Sequence, residues 1–299
     1  MKRKPPLVPF TQTGTILLIW AAFLFLILFL TACSAETAMY PVSAAAEQAD
    51  ADLTFLVDPE WTEDSASADD GTLLASCSYQ LPLMTVLRRD GTAVTEEDVS
   101  GSVERSALTA ATTFNGEFRR WAAEADFPAL AEAAREDYAW RTGEGSPWVG
   151  NYDQSLGCTV YQTDRLVSVT GVFYYYGGGA HPNRVYLGWN FDTQTGAFLT
   201  PEQIFSDTAA VTEELIRQAE QRAGEADTAP EELFWPDFRD LLSNWTTAAV
   251  TFDGEGMTVA WSPYDLAAYA VGEQLFTIPL SWLRPHLNSY GQELLGLGS

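Results

Sequence analysis

Two histidines, His181 and His286, are the only imidazoles in the 299-residue chain. His181 lies in Gly177-Gly178-Gly179-Ala180-His181-Pro182, between two predicted strands. This loop could bring an imidazole and backbone N–H groups together, as a nucleophilic centre requires. The glycines and the proline also suit a tight connection with positive φ angles, in which the ring only holds the loop. Because no Gly-x-Ser-x-Gly, His-Glu-x-x-His or phosphate-loop motif occurs, we favour this structural interpretation over a catalytic one.

Carboxylates are abundant, yet they form no recognisable catalytic or metal-binding motif. In runs such as Glu96-Glu97-Asp98, neighbouring side chains point in different directions, which is typical of a solvated face. The turn at 192–196 begins like a calcium loop, but Ala197 and Gln203 stand where glycine and a bidentate glutamate are required. Every basic residue beyond position 4 is arginine, which excludes Schiff-base chemistry there. We therefore expect no metal site, no cofactor and no enzymatic activity.

The N-terminus has the features of an export signal. Basic residues at positions 2–4 precede an uncharged apolar run over 16–32, which ends in Leu-Thr-Ala before Cys33. This ending resembles the lipobox of bacterial lipoproteins, in which the leader is cut before the cysteine and the thiol is acylated. We expect residues 1–32 to be a signal peptide and Cys33 to carry lipid; the alternative is a retained single-pass anchor. The Ala- and Ser-rich segment 33–52 predicts a flexible tether on the outer face of the bacterial cytoplasmic membrane.

The two cysteines that follow the leader leave two alternatives open. Cys77 and Cys158 form an even pair in a chain predicted to be exported, and each lies in a β-rich segment. A disulfide between neighbouring strands would fit this pattern. Two buried free thiols would leave the same trace in the sequence.

The charge balance excludes nucleic acid as a partner. The chain contains 41 Asp and Glu against 16 Lys and Arg, a net charge of −25. Removing residues 1–32 leaves 13 basic residues against 41 acidic ones, which gives −28. A polyanion would be repelled by this surface. Because 46% of the residues are hydrophobic, the acidic residues must surround a packed core.

The elements that must position these residues follow from the periodicity of the apolar side chains. Period-2 alternation predicts strands at 53–57, 72–87, 159–161, 166–176, 185–191, 248–252, 257–261 and 274–278. Helical spacing predicts helices at 103–141, divided at Pro128, and at 209–223, 231–243 and 280–287. Pro82 marks an edge or a bend of its strand, Thr200 is a candidate N-cap, and the acidic stretch 58–70 is predicted to be a solvated loop.

The order of strands, helices, strands, helices and strands predicts an α+β fold with mainly antiparallel sheets and packed helices. We place two intimately associated subdomains at 53–178 and 179–288, followed by a tail at 289–299. About 245 residues remain after leader and tether, which suits one large or two small domains.

Two stretches of the chain resemble a known family. One contains Tyr-Tyr-Tyr-Gly-Gly-Gly-Ala-His-Pro-Asn at 174–183, Trp-Asn-Phe-Asp-Thr-Gln-Thr-Gly at 189–196 and Leu-Thr-Pro-Glu-Gln-Ile-Phe at 199–205. The other contains Trp-Ser-Pro-Tyr-Asp at 261–265 and Tyr-Ala-Val-Gly at 269–272. Together they resemble the extracellular domain of anti-sigma-V factors, a domain pair also found beside peptidoglycan deacetylases and in bacterial lipoproteins.

The resemblance implies a binding or sensing module for lysozyme or another cationic protein, for which the acidic surface would be suited. It also makes Gly178, Gly179, Ala180 and His181 a motif loop with a structural or binding role. Because neither a sigma-binding segment before the leader nor a deacetylase domain is recognised, only the binding module carries over. A cell-wall glycan binder, with aromatic stacking platforms, is the alternative, and a wall-active enzyme that uses His181 is a third, less favoured one.

Overall fold

The computed structural model describes residues 53–298, all of which fall in the compact unit Glu47–Ser299. The predicted signal peptide (1–32), the tether (33–52) and Cys33 lie outside the described residues. Within residues 53–298, no helix is both long and apolar enough to cross a bilayer.

A six-stranded sheet forms the first half of the described chain, and its spatial order follows the order of the strands in the sequence. The strands are β1 (Thr54–Ser67), β2 (Leu73–Leu87), β3 (Tyr152–Gln162), β4 (Leu166–Tyr176), β5 (Asn183–Asp192) and β6 (Ala197–Phe198). Neighbours are antiparallel except β2 and β3, which are parallel. The exception arises because two helices separate β2 from β3, and such a crossover can return the chain in the same direction.

Helices α1 (Gly101–Glu124) and α2 (Phe127–Gly143) form this crossover. The predicted division at Pro128 is confirmed, and the chain turns at Asp126, which has a φ of 50°. The Asp126 carboxylate caps α2 by accepting the N–H of Ala129 at 3.3 Å. Helix α1 places its apolar face on the sheet, where Phe114 is fully buried.

The first core lies between these helices and one face of the large sheet. Phe114 packs against Phe118 and Phe191 with ring centroids 4.9 and 5.3 Å apart. Trp121 makes edge contacts with Tyr79 of β2 at 5.6 Å. The edge-to-face contacts of Phe114 with Phe191 and of Trp121 with Tyr79 fit α1 against the sheet.

The second half of the described chain contains a small sheet with its own helices. The elements are α3 (Thr208–Glu225), α4 (Pro230–Leu233), α5 (Phe238–Ser243), β7 (Ala249–Phe252), β8 (Gly256–Trp261), β9 (Gln274–Pro279), α6 (Leu280–Leu283) and α7 (Ser289–Leu294). The three strands form an antiparallel sheet in the order β7-β8-β9. A second buried cluster surrounds this sheet and includes Trp245 and Phe276.

Buried polar groups join the two sheets. The hydroxyl of Ser168 donates to Asn190 Oδ1 at 2.8 Å and accepts the N–H of Phe252 at 2.8 Å. Asn190 Nδ2 in turn donates to the carbonyl of Val250 at 2.8 Å. Strand β7 therefore lies on the face of β4 and β5 opposite α1, and the fold is α+β with mainly antiparallel sheets, as predicted.

Three segments differ from the sequence-based expectations. The acidic stretch predicted as a loop at 58–70 is mostly strand, because β1 continues to Ser67 through pairing with β2. The predicted tail contains α7, whose Gly291 contacts the main chain of Ile204. The predicted subdomain division at 178 and 179 falls between β4 and β5, which are neighbours in one sheet.

Candidate functional site

The motif loop connects β4 to β5 and is held by tyrosines of the sheet. Gly178 has a φ of 82°, and a Cβ at this position would overlap the Tyr152 hydroxyl. The hydroxyl of Tyr176 donates to the carbonyl of Gly179 at 3.2 Å. Glycine at 178 is therefore required both by the left-handed backbone and by the close approach of Tyr152.

His181 extends from this loop to the segment that follows β8. Its ring stacks on Tyr269 at a centroid distance of 3.8 Å and an interplanar angle of 20°. Nδ1 lies 2.9 Å from the carbonyl of Pro182, and Nε2 lies 3.1 Å from the hydroxyl of Tyr264. Because a carbonyl can only accept, Nδ1 carries the proton in the neutral ring and Nε2 accepts from Tyr264.

Tyr264 is the most unusual residue of the site. Its φ is 75°, a left-handed conformation that is rare for a bulky side chain, and its side chain is exposed (51%). The backbone is held by two hydrogen bonds, from the Tyr264 N–H to the Ala267 carbonyl at 3.1 Å and from Trp235 Nε1 to the Tyr264 carbonyl at 2.9 Å. Strain of roughly 1–2 kcal/mol is thus maintained at an exposed aromatic residue.

An ion pair and the carboxyl group of Asp265 border this cluster. Arg184 of β5 lies 2.6 Å from Glu273, and the hydroxyl of Tyr186 together with Arg184 lowers the pKa of Glu273. Burial raises the pKa of Asp265, whose carboxylate accepts the N–H of Ser262 at 3.1 Å. Both halves of the ion pair are solvated, so it adds little stability and mainly links β5 to the segment before β9.

We define the His181 cluster as His181, Tyr264, Tyr269, Arg184 and Glu273. The predicted loop residues Gly178, Gly179 and Ala180 shape the turn, and His181 supplies the contact across it. In the part of the chain that the structure describes, both ring nitrogens of His181 contact a carbonyl or a phenol. Chemically, the arrangement is an exposed aromatic surface with a fixed hydrogen-bond pattern.

Sequence reasoning did not assign Tyr264 and Tyr269 to the site, although both lie in the second stretch that carries the family resemblance. The left-handed conformation of Tyr264 has no signal in the sequence. The sequence did offer one signal, because both stretches carry the same family resemblance and could be expected to meet in the fold. In the structure, His181 of the first stretch stacks on Tyr264 and Tyr269 of the second.

The two remaining cysteines are free, so the disulfide is not formed. Cys77 pairs with Gln154 across β2 and β3, and Cys158 lies four residues further along β3. At about 3.3 Å per residue this offset is roughly 13 Å, beyond the Cα separation that a disulfide spans. Burial raises the pKa of Cys158 to about 12.

The Asp-Thr-Gln-Thr-Gly turn at 192–196 is held in place by the buried carboxylate of Asp192. Asp192 is fully buried, and its two oxygens accept hydrogen bonds from Arg165 at 3.1 and 2.8 Å and from the Tyr290 hydroxyl at 2.6 Å. Its Oδ1 also accepts the N–H of Gln194 at 2.8 Å. Burial opposes the charge, but these donors lower the pKa of Asp192 overall. The turn therefore connects the large sheet to α7.

Comparisons with known proteins give one family match and similar solved structures, and the Bacteroides fragilis structure below supports this fold. Residues 200–281 match the model of DUF3298, a protein family of unknown function. A DUF3298 family protein from Bacteroides fragilis NCTC 9343 superposes with a TM-score of 0.54 at 16% identity, over 82% of this chain and 97% of that one. A DUF3298 family protein from Pseudomonas aeruginosa PAO1 aligns with a TM-score of 0.44 at 15% identity, over 79% and 95%. No curated protein matches the chain.

Proposed function

We propose that this protein is an extracytoplasmic binding or sensing module for a cationic protein such as lysozyme, anchored to the membrane by lipid on Cys33. Binding involves the His181 cluster, with Tyr264 as its central contact. The protein acts by recognition and has no catalytic role.

The observation that carries this proposal is the conformation of Tyr264. A bulky residue kept in a left-handed conformation, with half of its side chain exposed, is strained for a purpose other than packing. Trp235 and His181 fix its backbone and hydroxyl, so little conformational entropy is lost when a partner covers the ring. Tyrosine is enriched among the residues that dominate binding energy at protein interfaces.

The surface charge supports a cationic partner. Residues 53–298 contain 37 Asp and Glu against 13 Arg, a net charge of −24. Eight of these arginines already form ion pairs with carboxylates of the same chain: Arg88, Arg120, Arg135, Arg141, Arg165, Arg184, Arg217 and Arg239. The field around the protein would therefore steer a basic protein towards it, and salt would weaken the attraction.

Isothermal titration of the full chain with lysozyme, at low and at physiological salt, tests the proposal. We expect binding that weakens with salt, and a loss of roughly 30-fold in Kd, or about 2 kcal/mol, for Tyr264→Ala. Trp140→Ala is the matched control, because Trp140 is another exposed aromatic residue (64%), on α2. Absence of binding at both salt concentrations would refute the proposal, and equal effects of the two substitutions would remove Tyr264 from the interface.

A cell-wall glycan binder is the second candidate, and it is supported by two exposed indole rings. Trp61 and Trp140 are 59% and 64% exposed, and such rings can stack on sugar faces. A pull-down on purified peptidoglycan separates the candidates, since the wall glycan lacks the dense positive charge of lysozyme. Capture that is lost in Trp140→Ala and retained in Tyr264→Ala would favour the glycan.

A further inference from the structure

We propose that the outer edge of β1, over residues 58–65, pairs with an extended basic segment of the partner protein and so adds a seventh strand to the large sheet. This inference rests on the proposed function, because the cationic partner supplies the segment. It names a contact surface separate from the His181 cluster.

The central part of β1 is exposed on both faces of the sheet and along its outer edge. Every residue from 58 to 65 is exposed, although the strand is paired with β2 along this whole length. Strand β6, at the opposite edge of the sheet, has only two residues. An unpaired edge of this length is a template for another strand, and folded proteins usually shorten or cover such edges.

Side chains cover the outer edge of β9 and the start of β1. On β9, Gln218 Nε2 donates to the carbonyl of Thr277 at 3.2 Å, and Arg222 donates to the carbonyl of Leu275. At the start of β1, Gln162 Nε2 donates to the carbonyl of Phe55 at 2.7 Å. Within residues 53–298, no comparable donor or acceptor reaches the main chain of Trp61 or Glu63 from outside the β1–β2 pair.

The hydrogen bonds of β2 show which main-chain groups of β1 face outward. Asn115 of α1 donates to the carbonyl of Met84 at 2.9 Å and accepts its N–H at 2.6 Å. The main-chain N–H and C=O groups of Met84 therefore point away from β1. The N–H and C=O groups of Val57, which lies opposite Met84, must then point away from β2. The same holds for every second residue of β1 after Val57, because the direction of these groups alternates along a strand. Among the described residues, the N–H and C=O groups of Trp61 and Glu63 therefore have no strand partner and can bond to a new strand.

The prolines of the two strands agree with this assignment. Pro59 lies directly opposite Pro82. Neither residue has an N–H, so the pair is suited only to a position where both main chains point away from each other. Pro59 is two residues before Trp61 and shares its direction. The edge can thus offer two complete pairs of donor and acceptor, at Trp61 and Glu63.

Charge decides which kind of strand can use this edge. Residues 53–87 contain no lysine or arginine, and four acids lie in the exposed part of β1: Asp58, Glu60, Glu63 and Asp64. A second copy of β1 would place acid opposite acid, which is destabilising across strands. A strand with lysine or arginine would instead form opposite-charge pairs, so the same residues disfavour self-pairing and attract a basic segment.

The alternation of β1 specifies the pattern of that segment. Asp58, Glu60 and Asp64 share one side of the strand, whereas Trp61 and Glu63 share the other. The partner needs basic side chains at every second position to face the three acids. Between them, an apolar or long aliphatic side chain can cover the Trp61 ring, which is 59% exposed. The probe that fits is an alternating peptide such as Lys-Thr-Lys-Val-Lys-Thr-Lys.

Amide hydrogen exchange of the full chain with this peptide tests the pairing directly. We expect exchange at the N–H groups of Trp61 and Glu63 to slow at least tenfold, because these groups gain carbonyl partners. The N–H groups of Glu60 and Thr62 already bond to β2 and should change little. A peptide that binds without protecting Trp61 and Glu63, or that does not bind at low salt, would overturn the inference.

Two reagents separate main-chain pairing from charge. Glu63→Pro removes an outward N–H and a charge, whereas Glu63→Gln removes only the charge. We expect the peptide to bind at least tenfold more weakly to Glu63→Pro and two- to threefold more weakly to Glu63→Gln. A peptide N-methylated at alternate residues keeps its charge but cannot pair, so it should bind at least tenfold more weakly to the unaltered chain, whether or not Glu63→Pro folds. Equal affinities of the two peptides would overturn the inference.

Lysozyme binding distinguishes this inference from the proposed function. If lysozyme binds the Glu63→Pro chain, shown to be folded by circular dichroism, as tightly as the unaltered chain, the edge inference fails and the proposed function stands. If lysozyme does not bind at either salt concentration while the peptide protects Trp61 and Glu63, lysozyme is excluded as the ligand and the edge pairing stands.

Discussion

Replacing Asp192 by asparagine should destabilise the fold by about 3 kcal/mol. Oδ1 of Asp192 accepts from Arg165 Nε and the Gln194 N–H, and Oδ2 accepts from Arg165 and the Tyr290 hydroxyl. In one orientation the amide NH₂ of asparagine would face the N–H groups of Arg165 and Gln194, and in the other it would face the Arg165 guanidinium, so a donor always opposes a donor. Breaking a buried ion pair costs about 3–5 kcal/mol. Because the Arg165 side chain is 20% exposed and can regain water, the lower end of that range applies.

Urea unfolding of the full chain, followed by tryptophan fluorescence, measures this loss. With a slope near the upper end of about 1–3 kcal/mol/M, the midpoint should fall by roughly 1 M. Asp240→Asn is the matched control, since Asp240 is exposed at the first turn of α5 and should change stability by less than about 0.5 kcal/mol. A loss below about 1 kcal/mol for Asp192→Asn would refute the assignment of Asp192 as an anchor.

The pH dependence gives a second check on the same reasoning. The pKa of Asp192 is lower in the folded protein than its ordinary value, so its stabilising effect is fully present above the unfolded pKa of about 3.9. The effect is lost as the pH falls through the folded pKa. The difference in stability between the unaltered chain and Asp192→Asn should therefore be complete at pH 7 and shrink below about pH 4. A difference that persists unchanged in acid would show that the charge is not responsible.

Two further substitutions or reactions test the site. Gly178→Ala should lower the free energy of unfolding by about 2 kcal/mol in urea, because φ is 82° and the new methyl group would overlap Tyr152. Gly179→Ala should cost under about 0.5 kcal/mol, because its methyl group would meet only the His181 carbonyl oxygen, at an ordinary contact distance of 3.8 Å. Equal effects would contradict the loop geometry. Alkylation of the unfolded chain without reductant should label both Cys77 and Cys158. In the folded protein at pH 8, Cys158, with a pKa of about 12, should react about a thousandfold more slowly than a free thiol; a fast reaction would contradict its burial.

Helices and strands were predictable from the sequence where one face of the element packs against the core and gives its apolar side chains a regular spacing. Strand β4 has the predicted bounds Leu166–Tyr176, and the helical block divides close to Pro128, as expected. The predicted helix at 231–243 is instead two short helices, α4 and α5, separated by a bend before Phe238. Local patterns therefore located most elements, because each must bury one face against the core.

The acidic stretch of β1 was predicted wrongly because charge reports solvent exposure and does not report backbone pairing. An edge strand exposed on both faces looks like a loop in composition, yet its main chain satisfies half of its hydrogen bonds with β2. The choice between a disulfide and two free thiols could not be made from the sequence for a related reason. Cys77 and Cys158 lie on neighbouring strands, but the register between β2 and β3 is set by tertiary packing and is not visible in the spacing of the cysteines.

The candidate site was half predictable. The motif loop with His181 was located, but its contact with Tyr264 spans 83 residues of sequence. That contact depends on β7 lying against β4 and β5 through Ser168 and Asn190, two polar residues that a sequence pattern assigns to no partner. The strain at Tyr264 is likewise a property of the assembled fold and not of any local motif.

Exposed main chain at Trp61 and Glu63 contrasts with the positions on β2 and β9 where side chains cover the open side of a strand. Asn115 occupies the open side of β2 at Met84, and side chains of α3 bind the carbonyls at the edge of β9. Covering an edge in this way requires only one well-placed amide or guanidinium, and among the described residues none reaches the main chain of Trp61 or Glu63. The acids found there disfavour pairing between copies and leave the main-chain groups of Trp61 and Glu63 open, although Asp64 accepts the N–H of Ser65 at 2.7 Å. A surface that binds a basic strand is expected to disfavour pairing with a second copy of β1 and to keep its main-chain donors and acceptors open.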